Sequence, residues 1–159
     1  MRENKMMFFI FMLGTFTVGM AEYVVTGLLT QISNDMRVSI SSAGLLVSVY
    51  AISVAVIGPF MRISTMKVHA HRLLPLLVAI FVISNVIGML APNFYVLLLS
   101  RVLSAAMHAP FFGVCMSVAA AVAPPAKKPQ AIALVQAGLT IAVMIGVPFG
   151  SFLGGLANW

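Results

Sequence analysis

The chain has 159 residues, of which 62% belong to the hydrophobic set and 8% are charged, against about 45–50% and about 25% in an ordinary soluble domain. With a mean hydropathy of +1.11, so apolar a chain excludes a water-soluble globular protein and is typical of one that lies in lipid. The formal net charge of +6 would suggest a nucleic-acid partner in a soluble chain. Here it is interpreted as a signal of membrane topology.

Five long apolar runs follow one another along the chain, at about 6–29, 43–61, 73–91, 94–123 and 131–156. Each is long enough to cross a bilayer as a helix, which takes about 20 residues. Their continuous apolar character excludes the alternating pattern of a membrane barrel. The first run is also too long for the core of a cleaved signal peptide. The predicted fold is therefore all-α, a single membrane domain of about five transmembrane helices.

Positive charges lie mainly in alternate loops, which predicts the orientation of the chain. One side carries seven of them, and the other side carries only Arg37. By the positive-inside rule the N-terminus lies in the cytoplasm, and we expect a multi-pass protein of the inner (plasma) membrane. The seven are Arg2, Lys5, Arg62, Lys67, Arg72, Lys127 and Lys128.

Three ionisable side chains lie well inside the predicted spans: Glu22 in the first, and Arg101 and His108 in the fourth. Such groups usually face the bundle interior and serve a site, because charge in lipid is costly. Glu22 lies about 12 Å and Arg101 about 9 Å below the outer surface, at about 1.5 Å per residue. They can therefore face each other or share a water-filled cavity, and a purely structural ion pair is the alternative. His108, about 10 Å deeper than Arg101, either titrates near neutral pH or bonds to a neighbouring helix.

A polar stripe at helical spacing accompanies these charges on the first and fourth helices. It makes Thr15, Thr26 and Ser104 candidate residues of the cavity wall. Gln136 and Thr140, four residues apart on the fifth span, either add a polar edge to the cavity or bond to a neighbouring helix.

The fifth span is rich in small residues, among them Gly146, Gly150 and Gly154. Glycine lets helix backbones approach closely, and Pro148 removes a backbone donor and favours a kink. The alternative is the ordinary glycine content of membrane helices. The single cysteine, Cys115, excludes an internal disulfide, and its simplest interpretation is a small buried residue. The sequence contains no phosphate-binding glycine loop, HExxH pattern or multi-cysteine metal site, so we predict neither an enzyme nor a metal centre.

Three stretches in the first third of the chain resemble a known family. The sequences AEYVVTGLL (21–29), VSI (38–40) and AGLL (43–46) resemble the first two helices of the major facilitator superfamily. The resemblance is to its drug:proton antiporter branch, which includes sugar-efflux and chloramphenicol-resistance-like exporters. Gly58-Pro59 and the following loop occupy the place of the superfamily signature. That loop keeps positive charge at Lys67 and Arg72 and lacks the acidic residue and most glycines of the signature.

Later stretches resemble the same family. LSRVL (99–103) is similar to the fourth-helix motif, whose arginine, here Arg101, is associated with proton coupling. GVPFG (146–150), with Gly154, is similar to the antiporter motif of helix five.

The resemblance implies a transporter of twelve helices in two halves, with the substrate site between them. This chain carries five helices and lacks the sixth helix and the second half. The implied function is proton-coupled efflux of a small molecule such as a drug, sugar or metabolite, with Glu22, Arg101 and His108 at the coupling site. Protons are the coupling ion and no other cofactor is expected. The implied partners are the lipid bilayer, the substrate and the C-terminal half, supplied as a separate chain. The alternative is a truncated remnant or small membrane subunit without transport activity of its own.

Overall fold

The computed structural model describes residues 2–156, with side chains described from Lys5 onward. The side chain of Arg2, whose charge enters the orientation prediction, lies outside the described residues. The described part consists of helices and turns, without a strand. Its helices are α1 (Arg2–Gly27), α2 (Leu29–Asp35), α3 (Ile40–Thr65), α4 (Ala70–Met89), α5 (Phe94–Val122) and α6 (Lys128–Leu156), and a 3-10 turn at Pro125–Lys127 precedes α6.

Five of these helices, all except α2, are long and apolar enough to cross a membrane. The prediction of an all-α fold with about five transmembrane helices is therefore confirmed. Large apolar side chains lie on the outside of the bundle: Phe60 is 68% exposed, Met89 73% and Met144 72%. Such a continuous apolar surface is what a lipid-facing protein presents.

Side-chain caps set the start of two membrane helices. Helix α3 begins ahead of the predicted run 43–61 because the Ser39 hydroxyl accepts a hydrogen bond from the backbone N–H of Ser42 at 3.1 Å. Helix α5 begins where its run was predicted to begin, since the side chain of Asn93 accepts from the N–H of Val96 at 3.0 Å. Both caps satisfy backbone donors that the first helical turn leaves unpaired.

The first predicted span, 6–29, is interrupted near its outer end. Helix α1 ends at Gly27 and the short helix α2 follows, burying Ile32 to 2% exposure. A Cβ atom added at Gly27 would collide with the carbonyl oxygen of Val147. The chain therefore turns where α6 touches the backbone of α1, a contact that the apolar pattern does not reveal.

Helix α5 is the central helix of the bundle. In its apolar window 44% of the residues are buried, against 17–22% in the other membrane helices. Helices α3 and α4 pack along α5, while α6 packs mainly along α1. Met107, Phe111 and Cys115 of α5 form a core with Leu77 of α4 and Val135 of α6. Cys115 is a free thiol with 0% exposure, which agrees with its interpretation as a small buried residue.

Glycines of α6 allow its backbone to touch α1. A Cβ at Gly146 would lie 2.8 Å from the Cβ of Tyr23, and one at Gly150 would collide with the carbonyl oxygen of Val24. These glycines therefore have a packing reason beyond the ordinary glycine content of membrane helices. Pro148 is exposed, and α6 continues through it as one helix. A conformational role for Gly146, Pro148, Gly150 and Gly154 stays a prediction.

Candidate functional site: a polar cavity inside the membrane

A small cavity lies where α1, α3 and α5 meet. Glu22 and Thr26 of α1, Tyr50 of α3 and Arg101 of α5 line it, and about 50 Å³ is open to the centres of water-sized molecules. One buried water needs about 10–15 Å³ on this measure, so the cavity has room for a few. The structure thus brings Glu22 and Arg101 to one cavity, and their role in proton coupling stays a prediction.

Arg101 ties α5 to the backbone of α1. Its side chain is 7% exposed, and its Nη1 donates a hydrogen bond to the carbonyl oxygen of Ala21 at 3.1 Å. Among the described residues its Nε has no hydrogen-bond partner. The guanidinium group is therefore fixed beside Glu22 through a backbone contact, and one of its donors remains available to the cavity.

The cationic partner that lies closest to Glu22 is His108. The Oε2 atom of Glu22 lies 3.6 Å from Nδ1 of His108, and the two side chains are 23% and 14% exposed. Within the part of the chain that the structure describes, this Oε2 atom is buried and accepts no hydrogen bond. The pair becomes an ion pair only when His108 is protonated. Of the two arrangements expected for Glu22 and Arg101, facing each other or sharing a cavity, the structure has the shared cavity, and the side chain of Arg101 bonds to the α1 backbone.

His108 also joins α5 to α3. Its Nδ1 lies 3.0 Å from the hydroxyl oxygen of Tyr50, within hydrogen-bond distance. Its ring stacks on Phe112, with ring centres 4.5 Å apart and an angle of 12° between the planes. Of the two interpretations of His108, a hydrogen bond to a neighbouring helix is therefore present in this structure.

Tyr50 belongs to the site but was not predicted from the sequence. It is 4% exposed and lies near the middle of α3. Tyrosines of membrane proteins concentrate at the two membrane surfaces, where the hydroxyl group reaches water. A tyrosine in mid-membrane needs an internal hydrogen-bond partner, and this position was the signal that could have found it.

Thr15 was predicted to line the cavity and lies elsewhere. It is 0% exposed and its hydroxyl donates to the carbonyl oxygen of Val135 on α6 at 2.6 Å. The reason is the close approach of the helices at Gly138, where an added Cβ would collide with the Thr15 hydroxyl. Thr15 therefore links α1 to α6 and is not among the residues that line the cavity.

The remaining polar candidates, Ser104, Gln136 and Thr140, lie on two different helices. Ser104 is 2% exposed on α5, one of the cavity helices, but it is not among the residues that line the cavity. Gln136 and Thr140 lie on α6 and are not among the residues that line the cavity. Thr140 is exposed, and its hydroxyl reaches the carbonyl oxygen of Gln136 within its own helix at 3.4 Å.

Three basic residues lie in the loop between α3 and α4 or on the helix ends that flank it. Lys67 lies in this loop and Arg72 in the first turn of α4, and both are exposed. Arg62, at the end of α3, lies over α5 with its Nη2 3.5 Å from the Ser117 hydroxyl oxygen. A Cβ at Gly113 would lie 3.1 Å from Nε of Arg62, so the absence of a side chain there leaves room for the arginine.

The polar groups of the cavity and of its surroundings lie close together. The phenol hydroxyl of Tyr50 lies 3.0 Å and the carboxylate of Glu22 3.6 Å from one imidazole nitrogen of His108, and the guanidinium group of Arg101 lines the same cavity as Glu22 and Tyr50. Residues 5–156 hold no group of three or more His, Cys, Asp or Glu side chains placed to bind a metal ion.

The Major Facilitator Superfamily model matches residues 11–159, which include every helix of the cavity. The chain belongs to the major facilitator superfamily. The resemblance predicted from the sequence is therefore confirmed. Because the family consists of transporters, membrane transport and not enzymatic catalysis is the general function it indicates, in a multi-pass membrane protein.

The relatives that the chain matches are considerably longer than it is. It is 48% identical over 155 residues to the uncharacterized MFS-type transporter YfhI of Bacillus subtilis (strain 168), covering 98% of this chain and 39% of that protein. It is 39% identical over 147 residues to the inner membrane transport protein YdhP of Escherichia coli (strain K12), covering 92% and 38%. It is 34% identical over 151 residues to a probable sugar efflux transporter of Helicobacter pylori (strain ATCC 700392 / 26695), covering 95% and 39%. The chain thus spans about two fifths of the length of these relatives.

Proposed function

We propose that this chain forms the N-terminal part of a proton-coupled exporter of a small molecule such as a drug, sugar or metabolite. The relative from Helicobacter pylori, named a probable sugar efflux transporter, supports the outward direction and a sugar-sized substrate. The observation that carries the proposal is the carboxylate of Glu22, which lies inside the membrane, beside His108 and in one cavity with Arg101.

The energetic reason for choosing Glu22 is the state of its Oε2 atom. It is buried without a hydrogen-bond donor among the described residues, and an ionised oxygen in such a place costs free energy that a neutral acid does not. The charge state of Glu22 is therefore sensitive to how much water the cavity admits. Water access differs between inward-open and outward-open states, so binding or release of a proton shifts the balance between them.

The setting of this function follows from the charges and from the family. The proposed location is the inner (plasma) membrane, with the N-terminus in the cytoplasm because seven of the eight loop charges counted lie on that side. The substrate site of a two-halved transporter lies between the halves. A C-terminal half is therefore the proposed partner that completes the site. Protons are the proposed coupling ion.

The test is efflux in cells that lack their major export pumps, with the chain co-expressed with the C-terminal part of YfhI. The probes are ethidium, a cationic dye, and a radiolabelled galactoside, a neutral sugar. Glu22→Gln should abolish efflux that depends on the proton gradient. Asp35→Asn, a matched change to an exposed carboxylate at the end of α2, should retain it.

Two results would contradict the proposal. Equal proton-dependent efflux in Glu22→Gln and the unmodified chain would remove Glu22 from the coupling step. The absence of proton-dependent efflux for every probe, with both chains present in the membrane, would favour the alternative of a membrane subunit that transports nothing.

A further inference from the structure

One nitrogen atom in the cavity region faces two competing partners. Nδ1 of His108 lies 3.0 Å from the hydroxyl oxygen of Tyr50 and 3.6 Å from Oε2 of Glu22. A neutral imidazole nitrogen has one lone pair and accepts one hydrogen bond. In the structure the shorter contact is the one to Tyr50, and a proton-free carboxylate has no hydrogen to offer that nitrogen.

The imidazole ring is held in place while its partners are not equally fixed. Phe112 stacks on one face at 4.5 Å, and Tyr50 meets the ring edge-on at 5.9 Å with an angle of 83°. Glu22 needs to approach Nδ1 by less than about 1 Å to reach ordinary hydrogen-bond length. A change of partner therefore requires a movement of the carboxyl group and not of the histidine.

Few other ionisable groups face this pair. Helix α4 from residue 73 and helix α6 from residue 129 carry no ionisable side chain up to their ends at Met89 and Leu156. Glu22 and Tyr50 line the cavity, whereas His108 is not among its lining residues. Besides His108, the titratable or charged groups on the three other membrane helices are Arg2, Glu3, Lys5, Glu22 and Tyr23 of α1, Tyr50 and Arg62 of α3, and Tyr95, Arg101 and Cys115 of α5.

We propose that Tyr50 is a positioning residue, and that uptake of one proton by the Glu22–His108 pair switches Nδ1 of His108 from the hydroxyl group of Tyr50 to the carboxyl group of Glu22. In the proton-free pair Tyr50 donates to Nδ1, and the neutral ring carries its hydrogen on Nε2. In the protonated pair Glu22 takes the place of Tyr50.

The step balances without any further reactant. A hydronium ion in the cavity gives its proton to the carboxylate group of Glu22, so that one O–H bond of hydronium breaks, one O–H bond forms on the carboxyl group and a water molecule remains. The new O–H group then hydrogen-bonds to Nδ1, and the hydroxyl group of Tyr50 is released. A hydrogen bond between α3 and α5 is thereby exchanged for one between α1 and α5.

This inference rests on the proposed function for its use in transport, but its test needs no substrate. The chain, labelled with ¹⁵N and ¹³C in its histidines, is placed in lipid nanodiscs, and the pH at which the His108 ring signals change is measured by NMR. His108→Gln identifies the signals, since His69 and His71 remain. At high pH the unmodified chain should show Nδ1 without hydrogen and Nε2 with hydrogen.

Two variants should move the transition in opposite directions. Tyr50→Phe removes a bond that exists only in the proton-free state, so the pair should take up its proton at a pH higher by about half a unit to one unit. Glu22→Gln removes the proton acceptor, so the pH at which the His108 signals change should fall by at least about half a unit to one unit. Tyr23→Phe makes the same chemical change in another tyrosine that lines the cavity, and it should leave the pH of this transition unchanged.

Three results would overturn the inference. They are a hydrogen on Nδ1 at high pH, equal transitions in Tyr50→Phe and Tyr23→Phe, or shifts of Tyr50→Phe and Glu22→Gln in the same direction. Efflux that does not depend on Glu22 would refute the proposed function and leave the partner exchange standing, so the two failures are distinguishable.

Discussion

Replacing Gly138 by alanine should destabilise the bundle more than any comparable change on the outer surface of α6. A Cβ atom at this position would collide with the carbonyl oxygen of Met12 and the hydroxyl group of Thr15, and would lie 2.8 Å from the backbone nitrogen of Phe16. Two of these three obstacles are backbone atoms of α1, which cannot turn away as a flexible side chain would. The two helices must therefore separate.

The size of the effect follows from that separation. Ordinary non-bonded contacts lie at about 3.5–4.0 Å, and the tightest obstacle, the carbonyl oxygen of Met12, lies far inside that distance, so α1 and α6 must move apart locally by about 1 Å or more. Overpacking of this kind costs about 1–3 kcal/mol. The same movement weakens the hydrogen bond from Thr15 to Val135, now 2.6 Å long, which is worth about 0.5–1.5 kcal/mol. We expect a loss of about 2–4 kcal/mol in the free energy of unfolding.

The assay is reversible unfolding of the purified chain in detergent, followed by circular dichroism. Gly155→Ala is the matched control, because it makes the same substitution in the same helix at a position where an added Cβ meets nothing within 4 Å. That variant should be as stable as the unmodified chain or slightly more stable, since alanine favours a helix over glycine. If Gly138→Ala and Gly155→Ala unfold alike, the inferred backbone contact between α1 and α6 does not exist in solution.

Three further predictions follow from the same structure. In a cysteine-free background, a cysteine at Asn34 should react with a membrane-impermeant maleimide added to intact cells and one at Lys127 only after lysis, and the reverse would invert the topology. Glu22→Gln and Arg101→Leu should each lower stability in detergent, and together by less than their sum, because each leaves the other's charge alone in one cavity; strictly additive losses would show that they do not interact. Expressed without a second half, the chain should give no proton-dependent efflux of ethidium, and efflux that disappears in Glu22→Gln would instead indicate a small transporter formed by several copies.

Much of the architecture could be predicted because membrane helices leave a strong signal in sequence. Long apolar runs separated by Pro92 and by the proline-rich stretch 124–129 are dictated by the thickness of the bilayer, which holds for any protein of this class. Depth along each helix could also be predicted, because helical rise is constant. It places Glu22 and Arg101 at one level, and the structure has both in one cavity.

Rotation of each helix about its axis could not be predicted in the same way. Thr15 lies on the polar stripe that contains Glu22, but the glycines of α6 bring that helix against the Thr15 side of α1. Tyr50 lies in a run that reads as uniformly apolar, and its partner His108 is 58 residues away in sequence. Such pairings depend on which helices become neighbours, and periodicity within one helix contains no information on its neighbours.

Helix α1 packs closely against α6 and makes its polar contacts with α5. On one side, Gly19 meets Ala142 so closely that an added Cβ would lie 2.7 Å from it, and α6 brings no ionisable group into the contact. Close-packed surfaces of this kind resist gradual sliding, because they are not continuously deformable. On the other side, α1 meets α5 through the hydrogen bond from Arg101 to Ala21 and the contact of Glu22 with His108, which are polar and exchangeable. We therefore expect a change of charge at Glu22 to act where α1 faces α5 and to leave the packing of α1 against α6 intact.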